Sequence, residues 1–535
     1  MNDCLRPAEG SVDLHDRPRP SLTTRIDGVA WQEPVNPWIV FALVAVGTFM
    51  TMLDASIVNI SLPSIAGTFK TQLGGTIEWV VIAYLVTIAA TLLTFGRLSD
   101  MVGRKPVWLA GLAVFTFGSG VCGAASSLPL LIAARAFQGL GGALLFSTSV
   151  AIITDSFPAE KRGVALGCNA VVIALGSSAG PTLGGFITDH WSWRWIFYVN
   201  LPLGICGILG SQRVLRNTLN TTPQRFDPIG ATLLAASFAP LTLALSFAPE
   251  WGWSSWRALL CVGVSLAAML AVPGMERRMA DPIIDLRLFQ NRIFTSALLS
   301  MTLAMFALFA IGFMLPFYFE ELRGFSVAKS GLLLTPLPLS LALVAPMSGS
   351  FADRFGSRWL ASEGLTVACL GLVLVSQLDA QSSVWDIIWP LVLTGIGQGL
   401  FMTPNARALM NAAPASEQGQ SSGLLATGRA LGQSLSVALA GTIFAGLGGT
   451  EAGRILIEAK AGHSIVPEGI SDIQARFLTG FHAALLVCAG VAAAGIFAAL
   501  ARGPETAPLL LTSSMTSATK SNQKAIKERP HEFPT

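Results

Sequence analysis

An all-α membrane protein of fourteen transmembrane helices, built as two six-helix bundles with an inserted helix pair, is the architecture this sequence predicts. Three observations predict it. Of 535 residues, 52% are hydrophobic and 12% charged, about half the usual charged share of a globular chain. Apolar runs centre near residues 50, 87, 115, 143, 174, 204, 238, 265, 305, 339, 369, 397, 433 and 490, each of about 18–25 residues and so able to cross a hydrocarbon layer of about 30 Å. A ten-residue polar motif also occurs twice, after the second and the tenth run.

Residues 1–36 are polar, hold prolines and both charge signs, and lack an apolar core; they read as a cytoplasmic tail rather than a cleaved signal. Residues 504–535, rich in Ser, Thr and Lys, read as a second, disordered cytoplasmic tail. With both ends inside, about 24 of the 34 Lys and Arg fall in inner loops and tails and about 8 outside, so the positive-inside rule predicts cytoplasmic N and C termini. Seven cysteines with no CxxC spacing suggest neither a metal site nor a disulfide framework.

The first run, Trp38 to Leu62, carries Asp54. A charge in such a segment costs at least about 2.5–3.5 kcal/mol, so it is expected to have a task and a partner. Asn59 and Ser61 follow, and Pro63 is expected to end the helix. The fourth run holds Arg135, with Gln138 three residues on and sharing its face. Counting at 1.5 Å per residue, Asp54 lies about 6 Å and Arg135 about 10 Å below the same surface. The two are expected to line a common wet cavity; whether they touch is left open by spacing alone. Tyr84 in the second run, and Arg429 with Gln433 one turn away in the thirteenth, complete the candidate polar set.

The repeated motif reads GRLSDMVGRK from Gly96 to Lys105 and GSFADRFGSR from Gly349 to Arg358. Gly96, Asp100, Gly103 and Lys105 are matched by Gly349, Asp353, Gly356 and Arg358 at identical spacing, with Arg104 adding a second basic group. The glycines permit tight backbone geometry. The acid can accept from helix-terminal amides, and the bases can pair with acids or lipid phosphate. Such a loop can latch two helices in one state and release them in another. Its position implies two parallel halves, 37–213 and 293–503, with 214–292 a linker holding two extra transmembrane helices. Parallel halves about an axis along the membrane normal are a transporter layout.

The fifth run contains ALGSSAGPTLGG, in which Gly176, Gly180 and Gly184 recur every four residues beside Gly185. That is a bare stripe for close packing, read here as a hinge or seal between halves, with Pro181 bending the helix. Trp191, Trp193 and Trp195 with Arg194 read as an interfacial belt, the Asn200-Leu-Pro202 step interrupting the next helix, and Trp251, Trp253 and Trp256 as further interface anchors. Glu320 and Glu321 are expected in a solvated loop, and segment 449–478 is expected to be external, polar and partly helical. There is no GxxxxGK[ST] phosphate loop, no His/Glu cluster and no nucleophile–base set, so an ATPase, an intramembrane protease or another enzyme is not indicated, nor is a cofactor, a metal or a nucleic acid.

Assembled, these motifs resemble the major facilitator superfamily, and within it the fourteen-helix drug:proton antiporter-2 group (EmrB/QacA type), across nearly all of 37–503. The resemblance rests on LDASIVNISLPSIA (Leu53 to Ala66), the 96–105 loop, the Arg135 segment, GSSAGPTLGG, WRWIFYVNLPLG (Trp193 to Gly204) and DPIG (Asp227 to Gly230). It implies proton-driven export of amphipathic small molecules across a bacterial inner membrane. In that scheme the Asp54 position serves coupling or cation recognition, and the Arg135 position serves proton relay. Protons and membrane lipid are implied partners; some relatives add a periplasmic adaptor and an outer-membrane channel, for which 449–478 offers a surface. The thirteenth run lacks the extra acids of some cation exporters, which leaves neutral, anionic or amphipathic substrates. A dedicated metabolite or siderophore exporter, a proton symporter and a non-transporting membrane subunit are the alternatives.

Overall fold

The structure is a computed structural model and describes residues 36–71, 76–216, 228–252, 254–276, 286–414, 418–460 and 469–503. Both expected tails, Asp227, Trp253, part of segment 449–478 and the side chains of Asp100 and Asp353 lie outside the described set. Lipid offers no partner to a backbone amide, so the chain satisfies its amides within helices. Seventeen α-helices are described: α1 Pro37–Phe69, α2 Trp79–Val102, α3 Arg104–Ala124, α4 Leu128–Ser156, α5 Ala159–His190, α6 Trp195–Tyr198, α7 Asn200–Val214, α8 Pro228–Trp251, α9 Trp256–Glu276, α10 Arg292–Phe317, α11 Val327–Leu334, α12 Pro336–Phe355, α13 Ser357–Val375, α14 Val384–Ala412, α15 Gln418–Gly446, α16 Gly449–Lys460 and α17 Ile470–Leu500.

Among the described residues, twelve stretches are long and apolar enough to cross a membrane. The expected fourteen exceeds that figure by two features. One is α15 with α16, a pair bent by 71°; the other is the shorter apolar stretch Thr232–Leu245 within α8. Pro63 does not end the first helix: α1 continues to Phe69. A proline removes one amide, and the remaining bonds of a long helix hold its course.

The packing of α1–α7 recurs in α10–α17, and glycines mark the matched contacts. Gly111 meets Leu144 and Gly364 meets Leu400; Gly118 meets Gln138 and Gly371 meets Thr394; Gly141 meets Phe115 and Gly397 meets Ala368. Gly176 on α5 seats against Phe49 and Met52 of α1, as Gly432 on α15 seats against Thr302 and Met305 of α10. The two motif loops share a backbone shape as well, with Gly103 at φ 103°, ψ 150° and Gly356 at φ 82°, ψ 144°. That region is open essentially to glycine alone.

The two blocks meet along three seams. At the end remote from the motif loops, Gly185 of α5 meets the Val327 carbonyl, Gly331 of α11 meets the Pro181 carbonyl, and Thr182 Oγ1 lies 2.5 Å from Thr335 Oγ1. Helix α2 runs antiparallel to α15, with Leu93 against Gly423 and Glu78 against Gly441. Asn59 of α1 approaches Gly312 of α10. Helix α8 covers the α2–α15 seam: Thr442 donates to the Leu245 carbonyl at 2.6 Å, and Leu93, Leu234 and Leu424 share one apolar cluster.

Candidate functional site

The α1 carboxylate that the sequence makes conspicuous is fully buried inside its own block. Asp54 is 0% and Arg135 1% exposed. Arg135 Nη1 donates to Asp54 Oδ2 at 2.6 Å, and to Gln138 Oε1 at the same distance. Its Nε donates to the Val80 carbonyl of α2 at 2.9 Å. Gln138 Nε2 donates to Asp54 Oδ1 at 2.8 Å and to Ser119 Oγ at 2.8 Å, while Asn200 Nδ2 donates to Asp54 Oδ1 at 3.1 Å. Two helices, α4 and α7, thus donate to the α1 carboxylate, and α2 and α3 hold the donors from behind. Each local arrangement follows from helix geometry: Arg135 and Gln138 are i and i+3 on α4, and Gly118 of α3 lets the Gln138 backbone approach.

The guanidinium plane is sandwiched, its Cζ 4.3 Å from the Tyr84 ring centroid and 5.7 Å from that of Phe197. Desolvated cation–π contacts of this kind add about 2 kcal/mol. The Tyr84 hydroxyl is buried without a hydrogen-bond partner among the described residues, beside Gly142. A buried ion pair this fully hydrogen-bonded is costly to break from one side, because the survivor remains charged and dry.

Contact between Asp54 and Arg135 answers the question that spacing left open. Both side chains are closed off from solvent, 0% and 1% exposed, and their partners come from α2, α4, α6 and α7 of their own block. Depth along a helix says nothing about azimuth. Asn59, five residues on, does face the other block, and its Oδ1 is buried without a partner among the described residues.

The glycine stripe of α5 also finds a different neighbour from the one expected. Gly176, Gly180 and Gly184 seat on α1, against Met52, Ser56, Ile57 and Ile60, whereas contact with the other block falls to Gly185 and the Pro181 carbonyl. Helix α5 runs on through Pro181 to His190. In the first motif loop, Arg104 pairs with Asp155 and donates to the Ala151 carbonyl at 2.7 Å, bracing the end of α4, and Lys105 donates to the Gln212 carbonyl at 2.8 Å. In the second, Arg358 lies over Trp359. Gly96 and Gly349 touch only Ser147 and Thr403 at ordinary distances, so neither position requires the absence of a side chain.

Three further expectations change. Trp191 and Trp195 are exposed, as belt residues would be, but Trp193 is buried with its indole donating to Thr68 Oγ1 at 3.0 Å. The segment holding Asn200 supplies a ligand to Asp54 rather than only an anchor. Glu321 is buried against Gly453 in a π-helical turn, Tyr318–Leu322, not solvated in a loop; α16 folds over it. Sequence reasoning missed Ser119 and Asn200; the only signal was the polar step before Pro202. Arg429 is partly buried on α15 and far from the Asp54 cluster in sequence and helix. Among the described residues no group of His, Cys, Asp and Glu could hold a metal ion.

A family model described as Major Facilitator Superfamily matches residues 44–437 and, a second time, 297–530. The riboflavin transporter RibZ of Clostridioides difficile is 35% identical over 410 residues, 76% of this chain and 88% of that protein. The multidrug resistance protein Stp of Mycobacterium tuberculosis is 32% identical over 400 residues, 75% of this chain and 74% of its own. Among solved structures, a bacterial homolog of the human lysosomal transporter Spinster, inward-facing and unoccupied, aligns with a TM-score of 0.61 at 16% identity, covering 88% of this chain and 99% of that one. The matched packing of two helix blocks, the paired motif loops and these likenesses lead to one conclusion: the chain belongs to the Major Facilitator Superfamily and is a multi-pass membrane transporter, not an enzyme.

Proposed function

We propose that this transporter is a proton-coupled antiporter that exports amphipathic toxic compounds from the cytoplasm, with cytoplasmic termini and fourteen membrane crossings. Its halves are 37–213 and 293–503, and α8 and α9 are the inserted pair. The observation that carries the reading is the Asp54–Arg135–Gln138 network. A titratable carboxylate held by a permanent cation deep in a membrane helix is a device for changing charge state, since an apolar residue would fill the space at lower cost.

Protonation of Asp54 would remove the anion that Arg135, Gln138 and Asn200 converge on. Arg135 would retain Tyr84, Phe197 and the Val80 carbonyl, and α1 would be freed to shift. Helix α1 carries Asp54 on one face and α5 on the other, through Gly176, Gly180 and Gly184. Helix α5 in turn touches α11 through Gly185 and Pro181. A proton at Asp54 therefore has a mechanical route to the seam between the halves, where access to substrate would be switched.

The test is transport driven by an imposed pH gradient in everted vesicles. Asp54→Asn should abolish gradient-driven accumulation of a fluorescent amphipathic dye while leaving its binding measurable. Full coupled transport in that variant would end the mechanism. A second reading, a dedicated exporter of one metabolite, is favoured by the likeness to a riboflavin transporter; a narrow spectrum in a growth-inhibition panel, with an uncoupler as control, would select it.

A further inference from the structure

Arg429 of α15 has neither a carboxylate nor a hydrogen-bond acceptor beside it among the described residues. It is partly buried, its Nε is shut off from solvent, and no described group bonds or pairs with it. Guanidinium stays charged at any biological pH, so no change of protonation relieves the position. A cation at that depth without a protein partner is retained for something that arrives.

Its direction follows from the helix wheel. At 100° per residue, Leu424 and Thr442 fall on one side of α15, the side that meets α8. Gly428 and Gly432 mark the side on α10, and Gly423 and Gly441 the side on α2. Arg429, Gln433 and Ser436 lie on the remaining side, opposite α8 and between the sides that meet α10 of one block and α2 of the other; on that side α15 meets α17 two turns beyond Ser436, at Phe444. The Ser436 hydroxyl is buried and also lacks a partner among the described residues. A fork of donors, an amide and a hydroxyl within two turns suit a carboxylate or phosphate, which accept bidentate bonds from arginine.

We infer that Arg429, with Gln433 and Ser436, receives an anionic group on the transported amphiphile. The inference rests on the reading of the chain as an exporter and narrows it to acidic substrates. Exchange of an inward proton for an outward anion would also draw on the membrane potential, which favours expelling negative charge.

Equilibrium binding tests this without any gradient, so it stays readable if proton coupling at Asp54 fails. The full chain in phosphatidylcholine nanodiscs is titrated with dansyl-phenylalanine and with its amide, two probes that differ only in the carboxylate. The acid should bind at least about tenfold more tightly than the amide, a charge-assisted contact of about 1.4 kcal/mol. Arg429→Gln should erase that preference and leave the amide unchanged, Arg429→Lys should keep part of it, and Arg429→Gln should unfold no earlier than the parent, which separates recognition from a structural role. Equal binding of the two probes by the parent, no binding of the acid, parallel loss of both in Arg429→Gln, or loss of acid binding when phosphatidylglycerol is added (a lipid headgroup occupying the site) would each overturn it.

Discussion

The two helix blocks place different residues at matching points of the same scaffold. The glycine contacts put Ala307, Leu391 and Thr394 of the second block where the first has Asp54, Arg135 and Gln138. Ala307 and Leu391 are fully buried and apolar, and Thr394 turns its hydroxyl back to the Pro390 carbonyl of its own helix at 2.8 Å. The second block thus closes on itself without a single charge at these places. What this teaches is that the scaffold does not need the Asp54–Arg135 pair in order to pack. The pair is an addition to a fold that works without it, which is the expected mark of function rather than of folding. Arg429 of the second block sits elsewhere and has no bonding partner among the described residues, whereas Arg135 of the first is satisfied internally.

The comparison can be broken most sharply by making the first block resemble the second. Asp54→Ala alone leaves Arg135 buried and uncompensated, and thermal unfolding in detergent should record a loss of about 3–5 kcal/mol. Combining Asp54→Ala with Arg135→Leu and Gln138→Thr should recover most of that loss, while transport stays absent. A triple variant as unstable as the single one would mean that the pair holds the fold together. The converse experiment puts an acid in the second block: Ala307→Asp should cost about 2.5–3.5 kcal/mol, and Leu391→Arg added to it should return part of the stability by recreating the ion pair. No rescue would show that the two blocks differ in shape at this point and not only in chemistry.

A smaller effect sharpens the likeness of the motif loops. Gly103→Ala and Gly356→Ala should each cost about 1–3 kcal/mol, because both glycines hold a backbone conformation closed to alanine. Gly96→Ala should stay within about 0.5 kcal/mol, since that position has room for a methyl group. A neutral result at Gly103 with a costly one at Gly356 would mean that only one loop depends on its shape.

What the sequence made legible divides by the strength of the physical signal. Asp54 and Arg135 stand out because charge in an apolar run is expensive and has no bland explanation at that depth. Gln138 follows from spacing alone. Ser119 and Asn200 are quiet, because an uncharged polar residue is tolerated in a membrane helix and gives no hint of where it points. The repeated loop reveals a duplicated layout, and its glycines adopt matching conformations. The correspondence Asp54–Ala307 and Arg135–Leu391 is not visible in the motifs; it emerges only when matched contacts fix the register. The glycine stripe of α5 announces close packing but does not name the helix it meets, and the neighbour is α1 rather than the opposite block. Pro63 reads as a stop from local rules, which ignore the bonds that carry α1 on to Phe69. Glu321 reads as solvated because α16, which covers it, lies more than a hundred residues away in sequence.

The most direct test of the account is proton release on substrate binding, measured with a pH indicator on purified protein in weakly buffered detergent. Addition of a transported amphiphile should release protons from the parent and none from Asp54→Asn, with both proteins binding the compound. Equal release from the two would place the exchanged proton elsewhere and contradict the central role of Asp54.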